Sequence, residues 1–135
     1  MSSVSDMARS SEGRTRLVVA DDDERFRRIL CSVLATDGYD VVAETGDRTE
    51  VAGLVAEHQP DVVVLDLVMQ GVSDLSTLRS VQAARPGQPV VVISSLFDPL
   101  VEQDVVAAGA RYVEKAEGID VLEQAVDALA DTLSI

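Results

Sequence analysis

The chain has 135 residues, with 24 acidic residues against 11 lysines and arginines and a formal net charge of −13. The length suits one compact domain that buries a core without disulfides or a structural metal. The charge disfavours direct binding to nucleic-acid phosphates and to anionic membranes, and it favours solubility or contact with basic and mixed-charge proteins.

The rest of the composition narrows the class of protein further. Hydrophobic residues make up 47% of the chain and aromatic residues only 3%, so we expect a folded domain with an aliphatic core. Cys31 has no second cysteine with which to form an intrachain disulfide. The sequence shows neither an apolar run of about 18 residues, as a membrane span requires, nor the apolar segment of a signal peptide. We therefore expect a cytoplasmic protein.

The first 14 residues are polar and rich in serine, and they show no apolar periodicity. This composition predicts a flexible N-terminal tail over residues 1–14 and a single domain over residues 15–135.

Five short apolar runs occur along the domain. Each has four or five residues, most of them β-branched, which is typical of strands buried on both faces of a sheet. These predicted strands are residues 17–20, 40–43, 62–65, 89–93 and 111–114.

Helical patterns follow the strands. The first is an apolar stripe at helical spacing that Gly38 closes, formed by Phe26, Ile29, Leu30, Val33 and Leu34. The second ends before Pro60, and the third begins at a cap formed by Ser73 or Asp74. The third helix is predicted to stop before Arg85, and Gly109 closes the fourth. The last apolar position of the fifth helix is Leu133.

This alternation predicts a (βα)₅ domain, because strands that alternate with helices form a parallel sheet covered on both faces. The expected architecture is the flavodoxin-like, doubly wound five-stranded sheet with strand order 2-1-3-4-5.

Carboxylates follow two of the predicted strands. Asp21 and Asp22 come directly after the first strand and Asp66 after the third, and these strands would flank the point where the strand order reverses, which is where such sheets bind ligands. Clustered carboxylates suit a hard divalent cation such as Mg²⁺. A carboxylate beside that cation can attack phosphorus. Ser94 after the fourth strand and Lys115 after the fifth would supply a hydroxyl and an ammonium to the same edge.

Each of these residues alone has an ordinary structural explanation. An aspartate after a strand is often the N-cap of the next helix, and this applies to Asp22 or Asp23 and to Asp66. Ser94 alone fits a turn and Lys115 alone a solvated lysine. The functional interpretation depends on their coincidence at four of the five strand ends.

The ordered set of segments resembles the receiver domain of two-component response regulators, over residues 16–133. The first strand resembles that family's strand with its acidic pair. The segment 60–69 resembles the strand that carries the phosphoacceptor, the segment 89–95 resembles the fourth strand with its hydroxyl residue, and the segment 112–115 resembles the fifth strand with its aromatic and lysine.

The resemblance implies a role for each matched residue. Asp66 would be the nucleophile and phosphoacceptor. Mg²⁺ would be held by Asp66, by Asp22 directly, by Asp21 directly or through water, and by the main-chain carbonyl of Val68.

The resemblance also implies a switch. Ser94 would bond one phosphoryl oxygen and Lys115 would pair with another. Tyr112 would turn inward when Ser94 is drawn to the phosphate, although an aromatic on a half-buried strand is its ordinary interpretation. Val68 and Leu96 flank the path of the hydrolytic water in this family, and both are apolar here, so we expect slow autodephosphorylation.

Two departures from the family pattern affect these expectations. The family often has Met-Pro-Gly after the phosphoacceptor, where this chain has Met69, Gln70 and Gly71. The family lysine usually precedes a cis proline, whereas Ala116 follows Lys115 here, and a cis bond before a non-proline residue costs about 3 kcal/mol. We expect a trans bond there. Residues 109–115 also look one residue shorter than is usual in the family, so of the matched site residues Lys115 is the one whose position these departures affect most.

The resemblance implies that a histidine kinase or phosphotransfer protein donates the phosphoryl group, and that the product acts on a downstream protein effector or a fused output domain. We expect no turnover of an external substrate, no direct nucleic-acid binding and no membrane contact, and a homodimer is an option. One alternative is a non-phosphorylated interaction module on the same fold. A second is an aspartyl-nucleophile phosphatase, which Val68 disfavours because such enzymes place an acid there. A nucleotide-binding function is weaker still, since no Gly-rich loop follows the first strand.

Overall fold

The computed structural model of the protein describes residues 13–72 and 75–133, and within them strands alternate with helices. The strands are β1 (Arg16–Ala20), β2 (Asp40–Thr45), β3 (Val62–Asp66), β4 (Val90–Ser94) and β5 (Arg111–Glu114). The α-helices are α1 (Glu24–Thr36), α2 (Val51–His58), α3 (Ser76–Ala84), α4 (Pro99–Ala107) and α5 (Ile119–Leu133). Single 3₁₀ turns, Arg48–Glu50 and Lys115–Glu117, precede α2 and α5. The predicted cap at Ser73 or Asp74 and residues 1–12 of the predicted tail lie outside the described residues.

The strands form one parallel sheet in the order β2-β1-β3-β4-β5, which confirms the predicted fold class. β1 and β3 are neighbours, and the strand order reverses between them. Strand β2 runs two residues further than predicted, because Thr45 pairs with Ala20 and its carbonyl accepts from the Asp21 N–H at 3.0 Å.

Side chains of the central strands alternate between two cores, as the two-residue repeat of a strand requires. In β3, Val63 and Leu65 join a core under α2, α3 and α4, whereas Val62 and Val64 join a core under α1 and α5. The same alternation holds in β1 and β4. The sheet therefore separates two packed layers, and the valine-rich runs of the sequence supply both.

Helix α1 shows where the predicted apolar stripe was too wide. Leu30 and Leu34 are fully buried, but Ile29 is 50% exposed. The fully buried residues of α1 are only Leu30 and Leu34, which are four positions apart, and Phe26 and Cys31 are partly buried against the same core. Gly38 ends the helix as predicted, with φ +98° and an N–H that donates to Ala35.

Across the part of the chain that the structure describes, every α-helix is too short or too polar to cross a bilayer.

Candidate functional site

Three carboxylates meet beyond the C-terminal ends of β1 and β3. Asp21, Asp22 and Asp66 each place an oxygen within 4.8 Å of the others. Asp21 is fully buried, Asp66 is 6% exposed and Asp22 is exposed. The structure thus brings together the three aspartates that the sequence placed at this edge.

Asp23 resolves the choice between cap and ligand in the acidic run. Its side chain accepts from the Phe26 N–H at 3.1 Å and caps α1, while its own N–H donates to Asp21 Oδ1 at 2.9 Å. Because Asp23 serves as the cap, Asp21 and Asp22 remain directed to the carboxylate cluster. Asp22 Oδ2 accepts from the Gln70 N–H at 2.7 Å, and Asp66 Oδ1 from the Val68 N–H at 3.3 Å.

The Lys115 ammonium lies against the same carboxylates. Its Nζ is 2.8 Å from Asp21 Oδ2 and 3.7 Å from Asp66 Oδ2. The peptide bond to Ala116 is trans, as expected. The chain then enters a 3₁₀ turn, in which the side chains of Glu114 and Glu117 reciprocally cap each other's main-chain N–H groups. With this turn, the lysine reaches the cluster without a proline behind it.

Phe26 forms the second side of the lysine site. The Lys115 Nζ lies 4.4 Å from the centroid of the Phe26 ring, within the range of a cation–π contact. A small cavity beside the lysine stem is bounded by this ring, Ile119 and Leu122. The Lys115 ammonium therefore contacts both the Phe26 ring of α1 and the carboxylates.

Arg27 supports the loop that carries Asp21. Its Nη1 donates to the Asp21 carbonyl at 2.7 Å, and its Nε pairs with Glu44 at 2.9 Å. Gly46 leaves room for this guanidinium, because a Cβ at that position would lie 2.7 Å from Nη1. The β1–α1 loop is thereby tied to the end of β2.

Crowding of charge shapes the electrostatics of the cluster. Burial, followed by the neighbouring Asp21 charge, raises the pKa of Asp66 to about 7, and the Lys115 ammonium and the Val68 N–H act in the opposite direction. Three ionised carboxylates facing one ammonium leave an excess of negative charge. A divalent cation would offset this excess, and an all-oxygen donor set suits Mg²⁺, so the residues fit such an ion.

The two hydroxyl residues lie on neighbouring strands, Ser94 as the last residue of β4 and Tyr112 within β5. Ser94 is buried, and its hydroxyl donates to the Leu96 carbonyl at 2.8 Å while accepting from the Leu96 N–H at 3.1 Å. Tyr112 is half-buried on β5, and its hydroxyl donates to the same carbonyl at 2.8 Å. Ser94 and Tyr112 thus share one acceptor.

The sequence reasoning missed the parts of Phe26, Gln70 and Arg27 at this site. The sequence pattern places Phe26 only in the apolar stripe of α1, and it does not single out Arg27. It identifies Gln70 only as the residue that replaces the family's proline. Gly71 is a turn signal that could have drawn attention to position 70.

The sequence matches the family described as the response regulator receiver domain over residues 17–127. The transcriptional regulatory protein PdtaR of Mycobacterium tuberculosis is 31% identical over 116 residues, which are 83% of this chain and 55% of that protein. Protein-glutamate methylesterase/protein-glutamine glutaminase 2 of Cereibacter sphaeroides is 43% identical over 90 residues, which are 66% of this chain and 24% of that protein. The chain therefore matches between a quarter and about half of the length of these relatives.

Solved structures show the same architecture. The crystal structure of a two-component response regulator of the LuxR family from Aurantimonas sp. SI85-9A1 superposes with a TM-score of 0.80 at 26% identity. The match covers 88% of this chain and 86% of that one.

Proposed function

Because the chain belongs to the receiver domain family of two-component response regulators, we propose that Asp66 accepts a phosphoryl group in a Mg²⁺-dependent reaction. A histidine kinase or a phosphotransfer protein is the proposed donor. The observation that supports this function most strongly is the meeting of Asp21, Asp22 and Asp66 with the Lys115 ammonium at the reversal of strand order.

The proposed chemistry is an in-line displacement at phosphorus. A carboxylate oxygen of Asp66 forms the new P–O bond, and the P–N bond to the donor imidazole breaks. The electron pair leaves with the imidazole nitrogen, which is then protonated from solvent. Lys115 lies 3.7 Å from Asp66 Oδ2, where its ammonium can pair with a phosphoryl oxygen.

The metal ligands in this proposal are Asp21, Asp22, Asp66 and the main-chain carbonyl of Val68. Burial, followed by the neighbouring Asp21 charge, raises the pKa of Asp66, and this supports the assignment because a cation there would keep the nucleophile ionised. When bound, Mg²⁺ supplies positive charge against the oxygens of the transferring group.

The proposed output is a change in the face formed by α4, β5 and α5. Ser94 would exchange the Leu96 carbonyl for a phosphoryl oxygen, and this exchange would alter the acceptor that Tyr112 shares. Exposed apolar side chains lie on and before α4, at Leu96, Phe97, Leu100 and Val106. Such a surface suits a downstream protein effector, a fused output domain or a second copy of this chain.

The wider setting of the reaction is part of the same proposal. The chain itself would turn over no external substrate, and any enzymatic or DNA-binding output would belong to a further domain, as the greater length of the relatives supports. We propose that the phosphoryl transfer takes place in the cytoplasm, where a single unpaired cysteine is ordinary.

A small phosphodonor provides the direct test. Incubation with phosphoramidate and Mg²⁺ should add one phosphoryl group to the wild type, detected by intact mass. The label should be absent in Asp66→Asn and retained in Asp104→Asn, an exposed control on α4. Equal labelling of wild type and Asp66→Asn would refute the assignment of Asp66.

The alternative is an interaction module that is never phosphorylated, and the departures at Gln70 and Ala116 favour it. Titration with beryllofluoride and Mg²⁺ separates the two functions by NMR. Amide shifts at Asp66, Ser94 and Tyr112 support the switch, whereas an unchanged spectrum supports the module.

A further inference from the structure

The turn after β3 has an unusual backbone for the residues that form it. Gln70 has φ +55° and Gly71 has φ +79°, while Met69 and Val72 exchange both main-chain hydrogen bonds at 3.0 and 3.1 Å. Two consecutive left-handed residues inside such a pair form a type I′ turn. A glutamine in this conformation is strained relative to glycine or asparagine, and such strain persists where surrounding contacts impose it.

Two contacts hold Gln70 in place. Its main-chain N–H donates to Asp22 Oδ2 at 2.7 Å, and its side-chain Oε1 accepts from the Arg48 N–H at 2.9 Å. The first contact reaches the loop after β1, and the second reaches the 3₁₀ turn after β2. Gln70, in the turn after β3, therefore contacts the segments that follow β1 and β2, and the three segments together surround the carboxylate cluster.

Asp22 is the member of the cluster that most needs such support. Asp21 is fully buried and Asp66 nearly so, but Asp22 is exposed and its side chain is free to rotate unless a contact holds it. A charge-assisted hydrogen bond to one oxygen fixes the carboxylate and leaves its other lone pairs for a metal. Because the Asp22 carboxylate is already ordered, it loses little rotational freedom when the metal binds, and metal binding does not carry that entropic cost.

We propose that Gln70 is a positioning residue, whose left-handed main-chain N–H orients the Asp22 carboxylate for Mg²⁺. This inference rests on the proposed function, and it assigns a role to the residue that replaces the family's proline. A proline at position 70 has no N–H and fixes φ near −65°, so it can neither donate to Asp22 nor occupy this turn. In this chain, the loop after β3 is ordered by the hydrogen bonds of the type I′ turn and not by a proline.

Two substitutions of Gln70 separate the N–H from the side chain. Gln70→Gly keeps the N–H and favours the left-handed conformation, but it removes the bond from Arg48. Gln70→Pro removes the N–H. We expect the Mg²⁺ dissociation constant, measured by NMR titration without a phosphodonor, to rise tenfold or more in Gln70→Pro and to stay within about threefold in Gln70→Gly.

The matched control is the same replacement at Gln59. This residue also has a left-handed backbone, with φ +47°, and its N–H donates to Val55 at the end of α2, at the opposite edge of the sheet. Gln59→Pro should lower the melting temperature and leave the Mg²⁺ dissociation constant of the folded protein unchanged. A loss of affinity caused only by destabilisation would instead appear in both proline variants.

A second readout needs neither metal nor a proline variant. The Gln70 amide proton of the metal-free wild type should resonate downfield and exchange slowly with solvent, and Asp22→Ala should abolish both properties. An unchanged Gln70 amide in Asp22→Ala would overturn the inference, even if Gln70→Pro fails to fold.

The remaining outcomes are equally decisive. Mg²⁺ affinity in Gln70→Pro within threefold of the wild type overturns the inference and leaves the proposed function intact. Equal losses in Gln70→Gly and Gln70→Pro overturn the assignment to the N–H, because the glycine variant retains it. A wild type that binds no Mg²⁺ overturns the proposed function, and this inference with it.

Discussion

The hydroxyl groups of Ser94 and Tyr112 donate to the same atom, the main-chain carbonyl oxygen of Leu96, each at 2.8 Å. Ser94 is the last residue of β4 and Tyr112 lies on β5, so this oxygen connects two neighbouring strands beyond the end of β4. A carbonyl oxygen has two lone pairs and can accept both bonds. Any group that draws the serine hydroxyl away must therefore alter the environment of the tyrosine.

Ser94→Ala tests this connection. The variant should still be labelled at Asp66, because the nucleophile is untouched, but the amide shifts that beryllofluoride induces around Tyr112 should fall to less than half of those in the wild type. The metal-free variant should lose about 1–3 kcal/mol of unfolding free energy, as expected for the two hydrogen bonds of the serine hydroxyl. Ser94→Thr keeps the hydroxyl and is the control. Full shifts near Tyr112 in Ser94→Ala would contradict the coupling.

Phe26 should influence phosphorylation through Lys115. Replacing its ring with leucine keeps an apolar side chain but removes the π face that lies 4.4 Å from the ammonium. We expect Phe26→Leu to slow labelling by phosphoramidate about twofold to thirtyfold, because a partly buried cation–π contact is worth about 0.5–2 kcal/mol. Phe26→Tyr retains the π face and should label at close to the wild-type rate. Equal rates in the leucine and tyrosine variants would show that the ring does not position the lysine.

The phosphorylated protein should lose its phosphoryl group slowly. The residues Val68 and Leu96 are exposed, at 36% and 72%, and their apolar side chains cannot hydrogen-bond an attacking water. Val68→Asn supplies such a group and should raise the dephosphorylation rate about fivefold, the equivalent of about 1 kcal/mol. Val106→Asn places the same change on an exposed valine of α4 and should have no effect. A half-life of seconds for the wild type would contradict this expectation.

Removing the charge of Asp66 should stabilise the metal-free protein. Burial beside Asp21 makes the ionised form of Asp66 costly, so Asp66→Asn should raise the unfolding free energy at pH 8 by about 1–2 kcal/mol. Urea denaturation measures the difference, and Asp104→Asn is the exposed control. Saturating Mg²⁺ should stabilise the wild type more than the variant, because it binds the native state of the wild type more tightly. A destabilised Asp66→Asn would show that the carboxylate is held by favourable contacts.

Cys31 should react slowly with thiol reagents. Burial, followed by the charge of Glu44, raises the pKa of its thiol to about 12. Because a raised pKa keeps the thiol protonated at pH 8, alkylation by iodoacetamide should be about a hundredfold or more slower than in the unfolded chain. The rate should rise about tenfold per pH unit up to pH 10, and Glu44→Gln should increase it at fixed pH. A rate that levels off near pH 9 would contradict the shift.

The fold could be predicted because its signals are local. Runs such as 62–65 are uniformly apolar and β-branched, and each is followed by a helical pattern with a recognisable end, as Gly38 shows for α1. The prediction was wrong for Ile29, which fits the helical repeat but lies outside the narrow strip of α1 that meets the sheet. Periodicity identifies a helical face, but it does not determine how much of that face the neighbouring strands can cover.

The site was predictable to the extent that it follows from strand ends. Asp21 directly follows β1 and Asp66 ends the neighbouring strand β3, so topology alone brings them together. Gln70 and Phe26 could not be inferred in this way. Gln70 reaches Asp22 across 48 positions through a main-chain N–H, which every residue except proline has, and Phe26 reaches Lys115 from a helix on one face of the sheet. Such contacts depend on loop conformation and on helix placement, which residue type does not reveal.

The two-residue alternation of the strands also determines on which side of the sheet each polar side chain at a strand end lies. Asp21 and Asp66 continue the rows of Leu17 and Val64, which pack under α1 and α5, whereas Ser94 continues the row of Val92, on the side of α2, α3 and α4. The sheet therefore separates the Asp21 and Asp66 carboxylates, which lie over the layer of α1 and α5, from the Ser94 hydroxyl, which lies over the layer of α2, α3 and α4. Insertion of one residue into β3 would reverse this parity and carry the Asp66 side chain away from the lysine, so strand length is constrained as tightly as residue identity.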